Sequence, residues 1–120
     1  MGEALRAAGR PADAEPAFRR ALHVESGAVA ARVGLGDALA ALGDQEGAEA
    51  EYQAAVDLLP SYGDAAMRLA ELRWRRDRRP VALGGLIDFL KLDPTHVEAL
   101  VRLGTWLYEL GRRAQAATAL

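Results

Sequence analysis

The chain contains no cysteine, and this absence removes two kinds of chemistry. Without thiols there is neither a disulfide framework nor a thiol nucleophile. Histidine is also scarce, since only His23 and His96 occur and they lie far apart in the sequence. Because zinc sites need closely spaced cysteine or histidine ligands, we expect no metal and no other cofactor, and we interpret both histidines as helix-end residues.

Long apolar runs are missing as well. No stretch approaches the length of a membrane-spanning helix, and the N-terminus lacks a basic segment followed by an apolar one. We therefore expect a cytoplasmic location, with a segment of a longer exported protein as the alternative. Asparagine is absent and lysine and isoleucine occur once each, as Lys91 and Ile87, which indicates a GC-rich bacterial source.

Neither charge of one sign nor a catalytic motif stands out. The net charge is −2 and the pI is about 5.7, so there is no overall attraction to nucleic acid. Gly34-Leu35-Gly36 resembles the start of a dinucleotide-binding loop, but no strand pattern precedes it and no third glycine follows. Neither Ser26 nor Ser61 lies in a nucleophile elbow. We expect that the protein is not an enzyme.

One stretch, Leu35–Pro60, recurs along the chain at a spacing of 34 residues. Its Leu35-Gly36 pair reappears as Leu69-Ala70 and as Leu103-Gly104. Apolar residues within each unit are spaced by three and four, which is the helical period, and no strand pattern occurs. A repeat of this length with two helices per unit is the sequence signature of a helical solenoid.

The repeated residues resemble the tetratricopeptide repeat (TPR) pattern, which is Trp-x2-Leu-Gly-x2-Tyr, then Ala-x3-Phe, then Pro. In the second repeat the matching residues are Leu35, Gly36, Leu39, Ala48, Tyr52, Ala55 and Pro60. The resemblance implies an all-α fold, a right-handed superhelical solenoid of antiparallel helix pairs with about three and a half units. We expect a partial repeat over 1–28, repeats over 29–62 and 63–96, and a partial repeat over 97–120.

Glycine and proline place the expected turns. A first helix over residues 1–8 is expected, and Gly43-Asp44 is the turn inside the second repeat, with Asp44 as an N-cap. Gly111 is expected to turn the chain into a final helix. Gly84-Gly85 falls inside a helix, where two explanations remain open: close packing against Trp74 or Phe89, or a hinge.

The family resemblance also implies a binding groove, because the first helix of each TPR unit lines a concave surface. Residues that recur at three, four and seven positions share one face of a helix. The groove residues carried over from the family slots are Val33, Asp37, Met67, Glu71, Trp74, Val101, Thr105 and Tyr108. An acidic half and an aromatic half would suit a protein or peptide partner with basic and apolar residues.

Two other interpretations of these residues remain open. Acid-to-base pairs spaced by four, Asp64–Arg68, Glu71–Arg75 and Glu98–Arg102, would stabilise their own helices without any ligand. Trp74 and Tyr108 would then pack between neighbouring repeats instead of contacting a peptide. The family's basic clamp for carboxylate-ended chaperone tails is not matched, since Gly34 and Asp37 occupy its amide slots.

A run of arginines forms the most concentrated charge, and it comprises Arg73, Arg75, Arg76, Arg78 and Arg79. A solvated helix end is the plain interpretation, and a contact for an acidic protein is the second. Nucleic acid is disfavoured, because Asp77 interrupts the run and only Trp74 accompanies it.

The sequence thus predicts a protein–protein interaction scaffold that binds a peptide in its groove. One alternative is a self-assembly module whose uncapped ends associate, with the contacts near Leu5, Phe18, Leu103, Leu107 and Leu120. Another is a regulatory segment of a larger protein.

Overall fold

In a computed structural model, the described part of the chain (residues 11–24 and 28–119) consists of helices joined by short turns. The helices are α1 (Pro11–Val24), α2 (Val29–Ala41), α3 (Gln45–Leu58), α4 (Gly63–Arg75), α5 (Arg79–Leu92) and α6 (Val97–Ala119). They stack along one direction into a body of 54 × 30 × 21 Å. The fold is an all-α helical-repeat solenoid, as the repeat pattern predicts. The predicted first helix over 1–8, residues 25–27 and Leu120 lie outside the described residues.

The turn between α2 and α3 has the chemistry that its sequence predicts. Gly43 adopts a φ of +90°, a conformation that L side chains rarely occupy. The N–H of Asp44 donates to the carbonyl of Leu39 at 2.9 Å, which closes the end of α2. The Asp44 carboxylate then accepts the Gly47 N–H at 2.9 Å and caps α3, so the predicted N-cap is confirmed.

The turn between α4 and α5 is built differently at the same repeat position. Asp77, 34 residues after Gly43, holds the left-handed conformation with a φ of +61°. The N–H of Arg78 donates to the Arg73 carbonyl at 2.8 Å, and Pro80 lies in the first turn of α5. Asp is one of the few non-glycine residues that tolerate this backbone.

The predicted turn at Gly111 is wrong, because α6 runs without a break from Val97 to Ala119. Arg112 stands where α3 has the capping Asp44, and no proline follows as Pro80 does at the start of α5. The segment after Gly111 consists mainly of alanine and arginine, which favour the helical state. With no stop signal and good helix formers on both sides, the helix continues through Gly111.

Two glycines in α2 let aromatic rings reach the helix backbone. A Cβ placed on Gly36 would lie 2.5 Å from Cε1 of Tyr52 on α3, and one on Gly34 would clash with the ring of Phe18 on α1. Both rings are buried, Tyr52 at 4% and Phe18 at 6% exposure. The two contacts seat α2 between its neighbouring helices.

The interior consists of two clusters of buried side chains. One joins α1, α2, α3 and part of α4 and includes Leu35 and Leu72. The other joins α4, α5 and α6 and includes Leu86, Phe89 and Trp106. Since α4 contributes to both clusters, it is the helix that connects the two halves.

The close-packing explanation for Gly84-Gly85 is wrong. A Cβ on Gly84 would meet no atom within 4 Å, and one on Gly85 would meet only the Arg73 guanidinium at 3.9 Å. Both glycines are exposed and line an apolar cavity of about 440 Å³ between α3 and α5, above α4. At these two positions α5 directs no side chain into the cavity, which Val81, Asp88 and Leu92 of the same helix also line.

Alanine should have opposite effects at two of these glycines. We expect Gly43→Ala to lower the free energy of unfolding by about 1–2 kcal/mol, because a Cβ is strained at this φ. Gly84→Ala should raise it by about 0.5–1 kcal/mol, since the site is helical and open. Urea unfolding followed by circular dichroism measures both. Equal effects of the two substitutions would contradict the two assigned backbone environments.

Candidate functional site

The first helices of the repeats, α2, α4 and α6, carry the predicted groove residues. Three of these side chains are buried: Val33 is 6% exposed, Met67 is 5% exposed and Trp74 is 9% exposed. The Trp74 ring stacks on Trp106 of α6, with centroids 4.4 Å apart and planes within 5°. Of the two interpretations of Trp74, the structure therefore has the packing between repeats.

The acids of the predicted groove are already paired with arginines of the next repeat. Asp37 on α2 lies 3.0 Å from Nε of Arg68 on α4, and it also accepts a hydrogen bond from the Tyr52 hydroxyl. Glu71 on α4 lies 2.6 Å from Arg102 on α6. Each acid pairs with the arginine 31 positions later, so the same ion pair joins successive first helices.

The ion pairs between helices also decide which of the predicted acid–base pairs spaced by four residues form. Asp64 and Arg68 lie 3.9 Å apart, as their spacing predicts. Glu71–Arg75 and Glu98–Arg102 are not the pairs found, because Arg102 turns to Glu71 across the helix boundary. A cross-helix ion pair holds two elements together, whereas a pair within one helix stabilises only that helix.

Tyr52 links the core to this ion-pair network. Burial, and next its hydrogen bond to the negatively charged Asp37, raise the pKa of the Tyr52 phenol well above its usual range. The hydroxyl therefore remains protonated and donates to Asp37. The buried Tyr52 thus fixes the orientation of the Asp37 carboxylate.

The remaining predicted groove residues lie on α6 and are open to solvent. Val101 is 63% exposed and Tyr108 is 67% exposed. Thr105, between them on the same face, is also exposed, and its hydroxyl donates to the Val101 carbonyl at 2.9 Å. The Arg112 guanidinium lies 5.9 Å from the centre of the Tyr108 ring. These side chains are accessible to a partner as they stand.

A polar cleft of about 240 Å³ lies between α4 and the start of α6. Asp64 and Glu98 on its rim are exposed. The residues that line the cleft are Gly63, Asp64, Met67, Arg68, Glu71, His96 and Glu98. Three carboxylates and one guanidinium line the cleft, and this guanidinium, of Arg68, is shared between Asp64 at 3.9 Å and Asp37 at 3.0 Å, so the lining has an excess of negative charge.

The two histidines lie at helix ends, as the sequence predicts. His23 is in the last turn of α1. His96 directly precedes α6, and its Nδ1 accepts the Ala99 N–H at 3.1 Å, so it caps the helix. Its ring also meets the edge of Phe89, with centroids 5.1 Å apart. Among the described residues, no three histidine, aspartate or glutamate side chains are grouped closely enough to hold a metal ion.

Most of the arginine run is neutralised within the molecule. Arg73, Arg76 and Arg78 all reach the Glu49 carboxylate on α3, at 3.1, 2.8 and 2.7 Å. The Arg79 guanidinium contacts Asp77 and lies 4.9 Å from the centre of the Trp74 ring. The arginines therefore join the end of α4 to α3 of the preceding repeat.

Glu49 is the residue that inspection of the sequence missed. It precedes the three arginines by 24 to 29 positions, with no local pattern to connect them. Burial alone would raise the pKa of the Glu49 carboxyl, but the hydrogen bond from Arg73 and the charges of Arg78 and Arg73 lower it overall. One helix turn earlier, Glu46 is 89% exposed and 4.0 Å from Arg76. The signal that the sequence offers for this site is the pair of acids Glu46 and Glu49, one turn apart on α3.

The sequence matches known repeat models. A family model described as tetratricopeptide repeat matches residues 1–66, and a second with the same description matches residues 98–120. The first match alone covers more than half of the chain. The chain belongs to the tetratricopeptide repeat family. No curated protein matches the sequence.

Solved TPR structures share the fold. The first TPR domain of Spaghetti (RPAP3), bound to the HSP90 peptide SRMEEVD, has a TM-score of 0.80 at 21% identity, over 92% of this chain and 89% of that one. The Yersinia enterocolitica type III secretion chaperone SycD, in complex with a peptide of the translocator YopD, has a TM-score of 0.83 at 17% identity, over 94% and 88%. YrrB, a TPR protein with an unusual peptide-binding site, has a TM-score of 0.75 at 26% identity, over 84% and 52%.

No helix in the described part of the chain is both long enough and apolar enough to span a membrane.

Replacing Glu49 should destabilise the protein in a pH-dependent way. At neutral pH, Glu49→Gln should lower the free energy of unfolding by about 1–3 kcal/mol, because three guanidiniums lose their shared partner. A lowered pKa in the folded state means that the Glu49 contribution is complete above about 4.5 and disappears as the pH falls through the folded-state pKa. Thermal melts of both proteins from pH 7 to pH 3 should therefore converge at the acid end.

Glu46→Gln is the matched control for this experiment. Glu46 lies on the same helix but is exposed, so its replacement should change the melting temperature little. Equal losses for the two variants would show that the convergence on Glu49 does not stabilise the fold.

Proposed function

We propose that the protein is an interaction scaffold that binds a peptide segment of a partner protein on the face formed by α4 and α6. The observation that carries the proposal is the exposure of Val101 and Tyr108 on the first helix of the fourth repeat. Large apolar side chains on one face of a helix, seven positions apart, are the kind of surface that anchors an extended or helical peptide. The peptide-bound TPR structures to which this chain is similar support the same class of function.

The groove residues divide into three roles in this proposal. Val101, Thr105 and Tyr108 contact the ligand directly. Val33, Met67 and Trp74 support the surface from below, since their side chains are buried. Asp37 and Glu71 join consecutive repeats and keep the spacing of the helices fixed. Preformed spacing lowers the entropic cost of ordering the site when a ligand binds.

The charge of the site favours a basic and apolar ligand. Asp64 and Glu98 on the rim of the polar cleft are exposed, and the cleft adjoins Met67 of α4. A lysine or arginine of the peptide would meet these carboxylates while its apolar residues contact Val101 and Tyr108. Opposite charge at the rim would raise the association rate more than the affinity.

The arginine run is the weaker candidate for a partner contact. Arg73, Arg76 and Arg78 are held by Glu49, and Arg79 contacts Asp77. An acidic partner would have to displace these internal ion pairs, whereas the face of α6 needs no rearrangement. A catalytic role finds no support, and TPR domains act generally as non-catalytic interaction modules.

Peptide binding to immobilised wild-type protein tests the proposal. A panel of synthetic peptides that combine arginine and leucine should bind, and a matched panel with glutamate in place of arginine should not. Tyr108→Ala and Val101→Ala should each weaken the binding about tenfold or more, as expected of anchor contacts near the centre of an interface. The readout is fluorescence polarisation of labelled peptides.

Ile87→Ala provides the matched control, because Ile87 is an apolar residue of α5 that is 42% exposed and is not part of the proposed α6 face. It should leave peptide affinity unchanged. Equal binding of the glutamate panel would contradict the proposed ligand charge. Unchanged affinity of both α6 variants would contradict the proposed site.

A further inference from the structure

The apolar cavity between α3 and α5 shares no residue with the proposed peptide site. Its volume of about 440 Å³ is within the range of ligand pockets. The apolar side chains of its lining come from three helices and include Val56, Leu69, Val81, Phe89 and Leu92. Val81 is 43% exposed and Leu92 is 57% exposed, so part of this apolar surface is accessible from solvent.

The second repeat shows what fills the equivalent space. Ala66 of α4 and Gly85 of α5 both line the cavity, and 34 residues earlier their positions hold Arg32 of α2 and Glu51 of α3. Nη1 of Arg32 lies 3.1 Å from Oε1 of Glu51, and the two side chains are only 26% and 21% exposed. The third repeat has a methyl group and a hydrogen atom in place of this ion pair. The cavity therefore includes the space of two long side chains that the third repeat lacks.

The repeat pattern itself names a residue that suits this space. The pattern begins with tryptophan, three residues before its Leu-Gly pair. In the third repeat this pair is Leu69-Ala70, so the tryptophan position is Ala66. Ala66 is 9% exposed and forms part of the cavity wall. An indole ring that entered the cavity from outside would thus occupy space that the pattern gives to an indole of the chain.

The guanidinium of Arg73 in the cavity wall favours an aromatic ring over an aliphatic side chain. It is held in place by Glu49 at 3.1 Å and by Gln53 at 2.7 Å. A Cβ on Gly85 would lie 3.9 Å from its Nη1, so a ring beside this glycine would contact the guanidinium. Such a contact is a cation–π interaction, for which tryptophan is the best of the aromatic residues.

Asp88 supplies the hydrogen-bond acceptor that an indole needs. It lines the cavity, and its side chain is 76% exposed. Its ion pair with Lys91, at 3.6 Å, engages only Oδ1. The second carboxylate oxygen can accept the indole N–H, which is the one polar group that a buried tryptophan must satisfy. Phenylalanine has no such group, so the lining favours tryptophan.

We propose that this cavity binds a tryptophan side chain of a partner protein. Tryptophan is among the residues that most often anchor protein interfaces. The proposal also explains why α5 contains two adjacent glycines. Glycine is unfavourable inside a helix, and the open space around Gly84 and Gly85 shows that packing within the chain does not require either of them. Their role is to keep the cavity free for the ring.

Titration with N-acetyl-tryptophanamide, a tryptophan residue with both flanking peptide groups, tests the proposal. In heteronuclear NMR spectra of the isotope-labelled protein, the amide signals of Gly84 and Gly85 should shift with a Kd of about 1 mM or lower. N-acetyl-phenylalaninamide should bind several-fold more weakly, because it lacks the indole N–H. N-acetyl-leucinamide should bind more weakly still, because it also lacks the ring.

Two variants fill the cavity by different means. Gly85→Leu places a side chain beside Arg73, and Ala66→Arg/Gly85→Glu transfers the ion pair of the second repeat. Each should weaken the binding of N-acetyl-tryptophanamide about tenfold or more, as expected when an anchor residue loses its pocket. Gly85→Leu should also raise the melting temperature, because leucine favours the helix over glycine, so its loss of binding is not a loss of fold.

Two further variants are the controls. Ile87→Ala lies on the same helix but outside the cavity lining, so it should bind the tryptophan amide like the wild type. Tyr108→Ala, which tests the peptide site on α6, should also leave this binding unchanged. The two proposals can therefore fail independently.

Three results would overturn the inference. Amide signals of Gly84 and Gly85 that stay fixed up to about 10 mM of the tryptophan amide would mean that the cavity does not accept the ring. Equal affinity for the leucine amide would mean that neither Arg73 nor Asp88 recognises the ligand. Wild-type affinity in Gly85→Leu would place the binding elsewhere on the protein.

Discussion

The fold depends on aromatic rings that contact the backbone of a neighbouring helix at glycine. Phe18 of α1 and Tyr52 of α3 both reach α2, one at Gly34 and the other at Gly36. Interiors are packed at nearly crystalline density, so one methyl group at such a contact forces the ring or the helix to move. In the third repeat the position of Gly36 holds the larger Ala70, and the position of Tyr52 holds the smaller Leu86. Both members of each pair are buried. We interpret this as one packing constraint: the combined volume of the two side chains must fit the space between the paired helices.

The same constraint separates the residues that hold the solenoid together from those that are left for a partner. Once the helix pairs are seated, the first helices lie close enough for Asp37 to reach Arg68 and for Glu71 to reach Arg102. These ion pairs are partly exposed, so each contributes modestly, yet both fix the distance between repeats. Among the described helices, α6 carries exposed apolar side chains that no such contact covers. One face of that helix offers Val101 and Tyr108, and another offers Leu107 beside Gly104.

The sequence predicted the solenoid, its family and the cap at Asp44, because periodic leucines, glycines and turn residues act locally. It did not predict the straight α6, since glycine alone does not stop a helix when neither a capping acid nor proline follows Gly111. The stacking of Trp74 on Trp106 depends on a residue of the fourth repeat, because the position that holds Ala38 in the second repeat holds Trp106 there. The choice of Arg102 by Glu71 and the convergence of three arginines on Glu49 depend on distances between helices. These distances cannot be derived from the spacing of residues along one helix.

A thermodynamic cycle at the Gly36–Tyr52 contact tests the central constraint most directly. The variants are Gly36→Ala, Tyr52→Leu and the double substitution, which gives the second repeat the pair found in the third. Each single change should destabilise the protein, the first by a clash with the ring and the second by a cavity and the loss of the hydrogen bond to Asp37. The loss of unfolding free energy in the double variant should be smaller than the two single losses added together, by about 1 kcal/mol or more, as expected for residues in contact. Additive losses in urea unfolding would contradict the account, because they would mean that glycine and tyrosine at these positions do not share one packing constraint.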